Sequence, residues 1–147
     1  YFNVHATDLE EECTRYTSLL SQFPTDIVCL GIGENGHIAF NDPDVANFND
    51  HKLVKIVKLD HVCRQQQVNE KCFETLEQVP TEALTLTIPA LLKAKWMFCI
   101  VPFKNKSQAV YRTIHGDISE KCPASILRRK EKSSLYLDTE SAQLLNL

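Results

Sequence analysis

The chain has 147 residues and a mass of 16.8 kDa, enough for one domain with a core of ordinary size. Its 16 basic and 19 acidic residues leave a net charge of -3 with no basic block, so it carries no electrostatic footprint for nucleic acid or an anionic membrane surface. Hydrophobic residues at 44% with only 4 Gly and 6 Pro exclude a disordered or fibrous chain. No apolar run approaches the ~20 residues of a membrane-spanning helix. The cysteines Cys13, Cys29, Cys63, Cys72, Cys99 and Cys122 lack C-x-x-C spacing, so reduced thiols in a cytoplasmic protein are expected rather than disulfides or zinc. The start, Tyr1-Phe2-Asn3-Val4-His5, has neither an initiating Met nor a signal-peptide pattern and reads as a truncated terminus.

Residues 8–23 place Leu9, Cys13, Tyr16, Leu20 and Phe23 three or four apart, and Thr7-x-x-Glu10 offers a capping box. An amphipathic helix closed by Pro24 follows from that spacing. Residues 26–30 form a continuous apolar run, expected as a strand buried on both faces, and residues 52–59 alternate as a strand with one solvated side. Residues 60–73 read as a helix. A period-2 strand over residues 83–88 ends at Pro89 and leads into one or two helical turns over residues 90–95. Residues 96–101 form a second fully apolar strand, residues 104–115 a helix stopping at Gly116, residues 123–127 a helical turn and residues 134–137 a last strand. This alternation predicts a single α/β domain over residues 1–147, three-layered and Rossmann-like, with a mostly parallel sheet and helices on both faces. Strands 26–30, 83–88 and 96–101 are expected as adjacent parallel neighbours.

Directly after the first apolar strand comes Gly31-Ile-Gly33-Glu-Asn-Gly36, a literal G-x-G-x-x-G, with Asp60 at the end of the next strand. A dinucleotide fingerprint has this form, but its third glycine opens a helix, whereas here His37-Ile-Ala-Phe-Asn-Asp-Pro43 runs into proline. Nucleotide binding is therefore disfavoured. What the loop does present is Asn35, His37, Asn41 and Asp42, crowded at the carboxyl end of a parallel-type strand, where open α/β sheets place ligands. From the residues alone, a polar turn with a surface histidine stays open beside a ligand site.

The string Leu30-Gly-Ile-Gly-Glu-Asn-Gly-His-Ile-Ala-Phe-Asn-Asp-Pro43 closely resembles the signature of the glucosamine-6-phosphate deaminase/isomerase family, usually G-x-G-x-[DN]-G-H-I-[AG]-F-N-E-P. Similarity extends through the helix at residues 8–23, the stretch at residues 80–88 and the segment at residues 104–110, and so covers most of the chain. Related 6-phosphogluconolactonases continue the G-H core with S-L-F-P, so Asn41-Asp42-Pro43 favours the deaminase branch. The resemblance implies conversion of an amino-sugar 6-phosphate to fructose 6-phosphate and ammonia, with no metal and no cofactor. It makes His37 the proton shuttle of ring opening, with Asn35 and Asp42 holding the imidazole. Gly31, Gly33, Gly36 and Lys106 are the implied substrate-binding residues, with Lys106 on the phosphate at a helix N-terminus and Lys104 its nearest competitor. A family arginine for the phosphate falls near Gln67, with Arg64 one helical turn away.

Two departures stand out. Asp42 replaces the usual glutamate and reaches about 1.5 Å less far. Asn35, where some members carry aspartate, can orient His37 but supplies no charge. The resemblance further implies that the chain is the C-terminal part of a longer sugar-phosphate isomerase domain. A Gly-rich phosphate loop and a proton-moving aspartate would then precede Tyr1, and the 147 residues alone would be inactive. The expected partner is a small sugar phosphate, glucosamine 6-phosphate or an epimer, with no nucleic acid and no membrane; a homo-oligomer is left open. A non-catalytic sugar-phosphate-binding homologue and a lactone hydrolase are the alternatives.

Overall fold

The computed structural model describes residues 1–3 and 5–146. Helix α1 runs Leu9–Gln22. Its cap is Asp8 rather than the expected Thr7: Oδ1 of Asp8 accepts the N–H groups of Glu10 at 2.9 Å and Glu11 at 3.0 Å. A carboxylate at the positive end of the helix adds a charge term that the threonine hydroxyl lacks. One turn on, Glu12 is buried, and Arg15 bonds both its carboxylate oxygens at 2.7 Å while the Asn3 N–H donates at 2.7 Å. Chiefly through Arg15, its pKa falls from 4.5 to about 2. A depressed native pKa stabilises the fold fully above the unfolded value and is lost as pH falls through the native one. A Glu12→Gln variant is therefore expected to be less stable than the parent at pH 7, the gap closing between pH 4.5 and about 2, as read from urea midpoints at each pH.

Strands β1 (Ile27–Leu30), β4 (Trp96–Val101) and β5 (Ser133–Leu137) form a parallel sheet in the order β1-β4-β5. Ile27 pairs with Trp96 and Met97 with Ser133. Strands β2 (Val54–Lys58) and β3 (Glu82–Leu86) form a separate antiparallel pair, Val54 opposite Leu86 and Lys58 opposite Glu82. This corrects the expectation that the third apolar strand lies in the parallel sheet. Both β2 and β3 mix polar residues (Lys55, Lys58, Glu82, Thr85) among the apolar ones, whereas strands buried in a parallel sheet read as continuous apolar runs.

Helix α2 (His61–Asn69) connects this pair, capped by Asp60 and stopping short of the expected residue 73 because Lys71 takes a left-handed φ of 60°. Helix α3 (Ile88–Leu92) begins earlier than expected, since Thr87 caps it and Pro89 is tolerated in a first turn. Helix α4 (Ser107–His115) is preceded by a 3-10 turn, Lys104–Lys106, and a longer 3-10 segment spans Pro123–Arg129.

The core joins Ile32, Ile38, Ile88, Met97, Val101 and Val110 with residues of the Pro123–Arg129 segment. Burial alternates along β4: Met97, Cys99 and Val101 are buried, while Trp96 is 42% and Ile100 49% exposed. On the neighbouring strands Ile27 is 54% and Tyr136 52% exposed, so among the described residues the sheet buries one face where two were expected. No helix among the described residues is long and apolar enough to cross a membrane.

Candidate active site

The loop after β1 is shaped by two glycines with different duties. Gly36 has a φ of 93°, open to glycine without strain, and a Cβ there would meet Cys122 Sγ at 2.8 Å. A Cβ on Gly33 would lie 2.2 Å from Cε1 of His37 and 2.4 Å from both ring nitrogens, so this glycine makes room for the imidazole. The turn closes with Gly33 N–H on His37 O and Gly36 N–H on Gly33 O, each at 2.9 Å. No helix follows Gly36, which removes the dinucleotide reading of the three glycines.

Asn41 then redirects the chain. Its Nδ2 donates to Ile38 O at 3.0 Å and to Leu86 O at 2.9 Å, and this places Asp42 beneath the imidazole. Asp42 Oδ1 lies 2.9 Å from His37 Nδ1 and accepts Asn35 Nδ2 at 2.9 Å. Asn35 also receives the His37 N–H at 2.9 Å and donates to Asp60 Oδ2 at 3.0 Å. Burial pushes the Asp42 carboxyl up, but His37 and Asn35 beside it outweigh this and hold the group below the usual aspartate range. Nδ1 stands against this carboxylate without a hydrogen bond of good geometry, and His37 lines the adjoining cavity.

That cavity, about 690 Å³, brings His37 and Gly33 together with Gln66, Glu70, Phe103 and Lys106. Gly31 also lines it, whereas Gly36, Asn35 and Asp42 stand behind as support. Lys106 is 5% exposed, and its Nζ lies 3.0 Å from Glu70 Oε1; Lys104, its competitor from sequence, is exposed and does not line the cavity. Helix α4 starts beside Lys106 without a side-chain cap, the Ser107 N–H being bonded to Lys104 O of the preceding turn. Phe103 turns the chain from β4 toward this lysine at φ 80° and ψ 146°, a region costing about 1–3 kcal/mol for a side-chain-bearing residue. Its N–H is anchored on Asp138 Oδ2 at 3.0 Å.

The two phosphate candidates on α2 sit elsewhere. Arg64 Nη2 donates to Leu76 O at 2.6 Å and Val79 O at 3.0 Å, tying α2 to the following turn, and Gln67 is not among the cavity residues. One residue off in a helix is a rotation of 100°, and it is Gln66 that faces inward, its Oε1 accepting the Glu34 N–H at 3.1 Å.

Asp60, Cys63, Gln66 and Glu70 complete the site although sequence reasoning gave them no role in it. Only Asp60 left a signal, as a cap three residues before Cys63, whose N–H it accepts at 2.6 Å. The ligand atoms of His37, Asp42 and Cys63 lie within 4.8 Å of one another, a donor set that by count alone could hold a metal. The 2.9 Å between Nδ1 and Oδ1 is tighter than the roughly 3.3 Å between two ligands at zinc bonds of about 2.0 Å. Burial, then the charges of Asp42 and Asp60, push the Cys63 thiol up to about 12. Hydrogen bonding is the better account of the cluster.

A family model described as glucosamine-6-phosphate isomerases/6-phosphogluconolactonase matches residues 1–136, which is most of the chain. The chain belongs to this family. Within it, the chain is 41% identical over 143 residues to a glucosamine-6-phosphate deaminase of Listeria monocytogenes serotype 4a, covering 97% of this chain and 59% of that protein. It is 42% identical over 142 residues to a glucosamine-6-phosphate deaminase of Bacillus cereus, covering 97% of this chain and 52% of the relative. A solved structure of a monomeric glucosamine-6-phosphate deaminase superimposes with a TM-score of 0.89 at 38% identity, over 97% of this chain and 58% of that one. The chain thus spans between half and three-fifths of these relatives. The 6-phosphogluconolactonase of Trypanosoma cruzi matches at a TM-score of 0.68 and 18% identity over 93% of this chain and 52% of that one, a likeness of fold alone. The family fold is the three-layer α/β arrangement with a mostly parallel sheet, as the alternating elements lead one to expect.

Proposed function

We propose that the protein acts on an amino-sugar 6-phosphate, opening the ring, shifting the aldose to a ketose and releasing ammonia, with glucosamine 6-phosphate as substrate. The observation that carries this reading is the placement of Asp42 under His37 by the Asn41 side chain, beside a cavity lined by both the imidazole and a buried lysine. His37 passes the proton of the ring oxygen during opening, a transfer suited to an imidazole acting as general acid and base. Asp42 fixes the ring orientation and supplies the negative charge that Asn35 lacks, while Asn35 locks Asp42 to the Asp60 cap. Asp42 is one methylene shorter than the family's glutamate, yet its carboxylate reaches the imidazole at 2.9 Å.

Lys106 and the uncapped start of α4 receive the phosphate, cation and helix dipole acting on one dianion. Gly31 and Gly33 border the cavity, and Gly33 leaves the space that the imidazole fills. Arg64 and Gln67 take no part in this reading. All six cysteines are free, in keeping with work in a reducing, cytoplasmic setting. Ammonia and fructose 6-phosphate formed together from glucosamine 6-phosphate by the complete protein test the proposal. Binding of the sugar phosphate with no ammonia released would assign a sugar-phosphate-binding role instead.

A further inference from the structure

Lys106 is spoken for before any substrate arrives. Its side chain is 7% exposed, and the acceptor within reach is Glu70 Oε1 at 3.0 Å. Glu70 is held there by a second bond, Gln66 Nε2 to the same oxygen at 2.8 Å, while 42% of its own side chain remains open to solvent. Glu70 follows the last residue of α2, next to Lys71 with its left-handed φ, so the carboxylate projects from the end of the helix with solvent on its open side. All three residues line the cavity that His37 also lines.

We infer that Glu70 is a specificity-determining residue that occupies the anion position on Lys106 and admits a dianion while refusing a monoanion. This rests on the reading of Lys106 as the phosphate site. A buried ammonium holds a counter-ion at all times, because an unpaired charge in that position is costly. An incoming anion must exchange with the Glu70 carboxylate or share the lysine against its repulsion. A phosphate monoester carries nearly two charges at neutral pH and three acceptor oxygens, so it outcompetes a single carboxylate. A sugar acid offers one charge and no advantage. Glutamine at this position keeps an acceptor for Gln66 and removes only the charge.

Binding of inorganic phosphate, of glucosamine 6-phosphate and of the same amino sugar bearing a carboxylate at C6 is to be measured by calorimetry on the parent protein, Glu70→Gln and Glu70→Gln/Lys106→Met. At charge separations of this order, losing the repulsion is expected to tighten phosphate binding by about tenfold or more. The carboxylate sugar is expected to bind Glu70→Gln and not the parent, and the double variant should lose both gains. Equal or weaker phosphate binding by Glu70→Gln overturns the inference and leaves Glu70 as a prop for the lysine. If the double variant binds phosphate as well as Glu70→Gln does, Lys106 is not the phosphate site, and the reading beneath the inference falls with it.

Discussion

Replacing His37 by Gln is expected to lower turnover of glucosamine 6-phosphate by roughly 10²–10⁴-fold while changing its KM little, the usual cost of losing a positioned acid or base. Ring opening moves a proton in the transition state, and glutamine offers an amide of similar reach that cannot titrate. In the proposed reading the phosphate is held by Lys106, a different residue of the same cavity, so ground-state binding is expected to survive the change. The Asp42 carboxylate would find the amide in place of the ring 2.9 Å away and remain bonded to Asn35, which limits damage to the loop. Steady-state ammonia release with the complete protein measures it. Near-normal turnover with a raised KM would move His37 from proton transfer to substrate binding.

Gly33→Ala is expected to do comparable harm without touching a reactive group. The added methyl would stand 2.2 Å from Cε1 of the imidazole and 2.4 Å from Nδ1 and Nε2, far inside contact distance. The ring cannot retreat and keep its contact with Asp42, so it must leave its position, and misplacement of a reacting group by about 1 Å costs of the order of 10²-fold. Gly31→Ala is the control. Its Cβ would meet nothing closer than Ile100 O at 3.4 Å, an ordinary contact, although Gly31 borders the same cavity. Turnover of the two variants separates crowding of His37 from a general intolerance of the loop, and equal rates for both would show that the ring has room to move.

The sequence made the local part of this site legible and the distant part opaque. Asn35, His37 and Asp42 fall within eight consecutive residues, so their meeting needed only a turn, which the glycines announce. Cys63, Gln66 and Glu70 reach the same place from α2, and nothing in a helix of mixed polarity says which face it will show. Hence Gln67 and Arg64 were expected inside, where a rotation of one residue put Gln66. The strand at residues 83–88 carried its own correction: its alternation already spoke for an antiparallel partner, and the parallel placement leaned on the helix between it and β2. The one-sided burial of the parallel sheet was beyond reach from the apolar runs, since Ile27 and Ile100 read like core residues although about half of each is exposed.

The parallel register of β1 on β4 also orders events in time. Ile27 cannot pair with Trp96 until about 70 intervening residues have been synthesised and brought round, a closure costing on the order of 4 kcal/mol in chain entropy. Within that span lies every residue of the His37 loop, and the loop is still not fixed when the strands meet. The Ala124 N–H must yet bond Gly36 O at 2.9 Å, and Glu120 must receive the Phe48 N–H at 2.8 Å. A growing chain therefore carries the whole motif long before it carries the contacts that hold the loop in place.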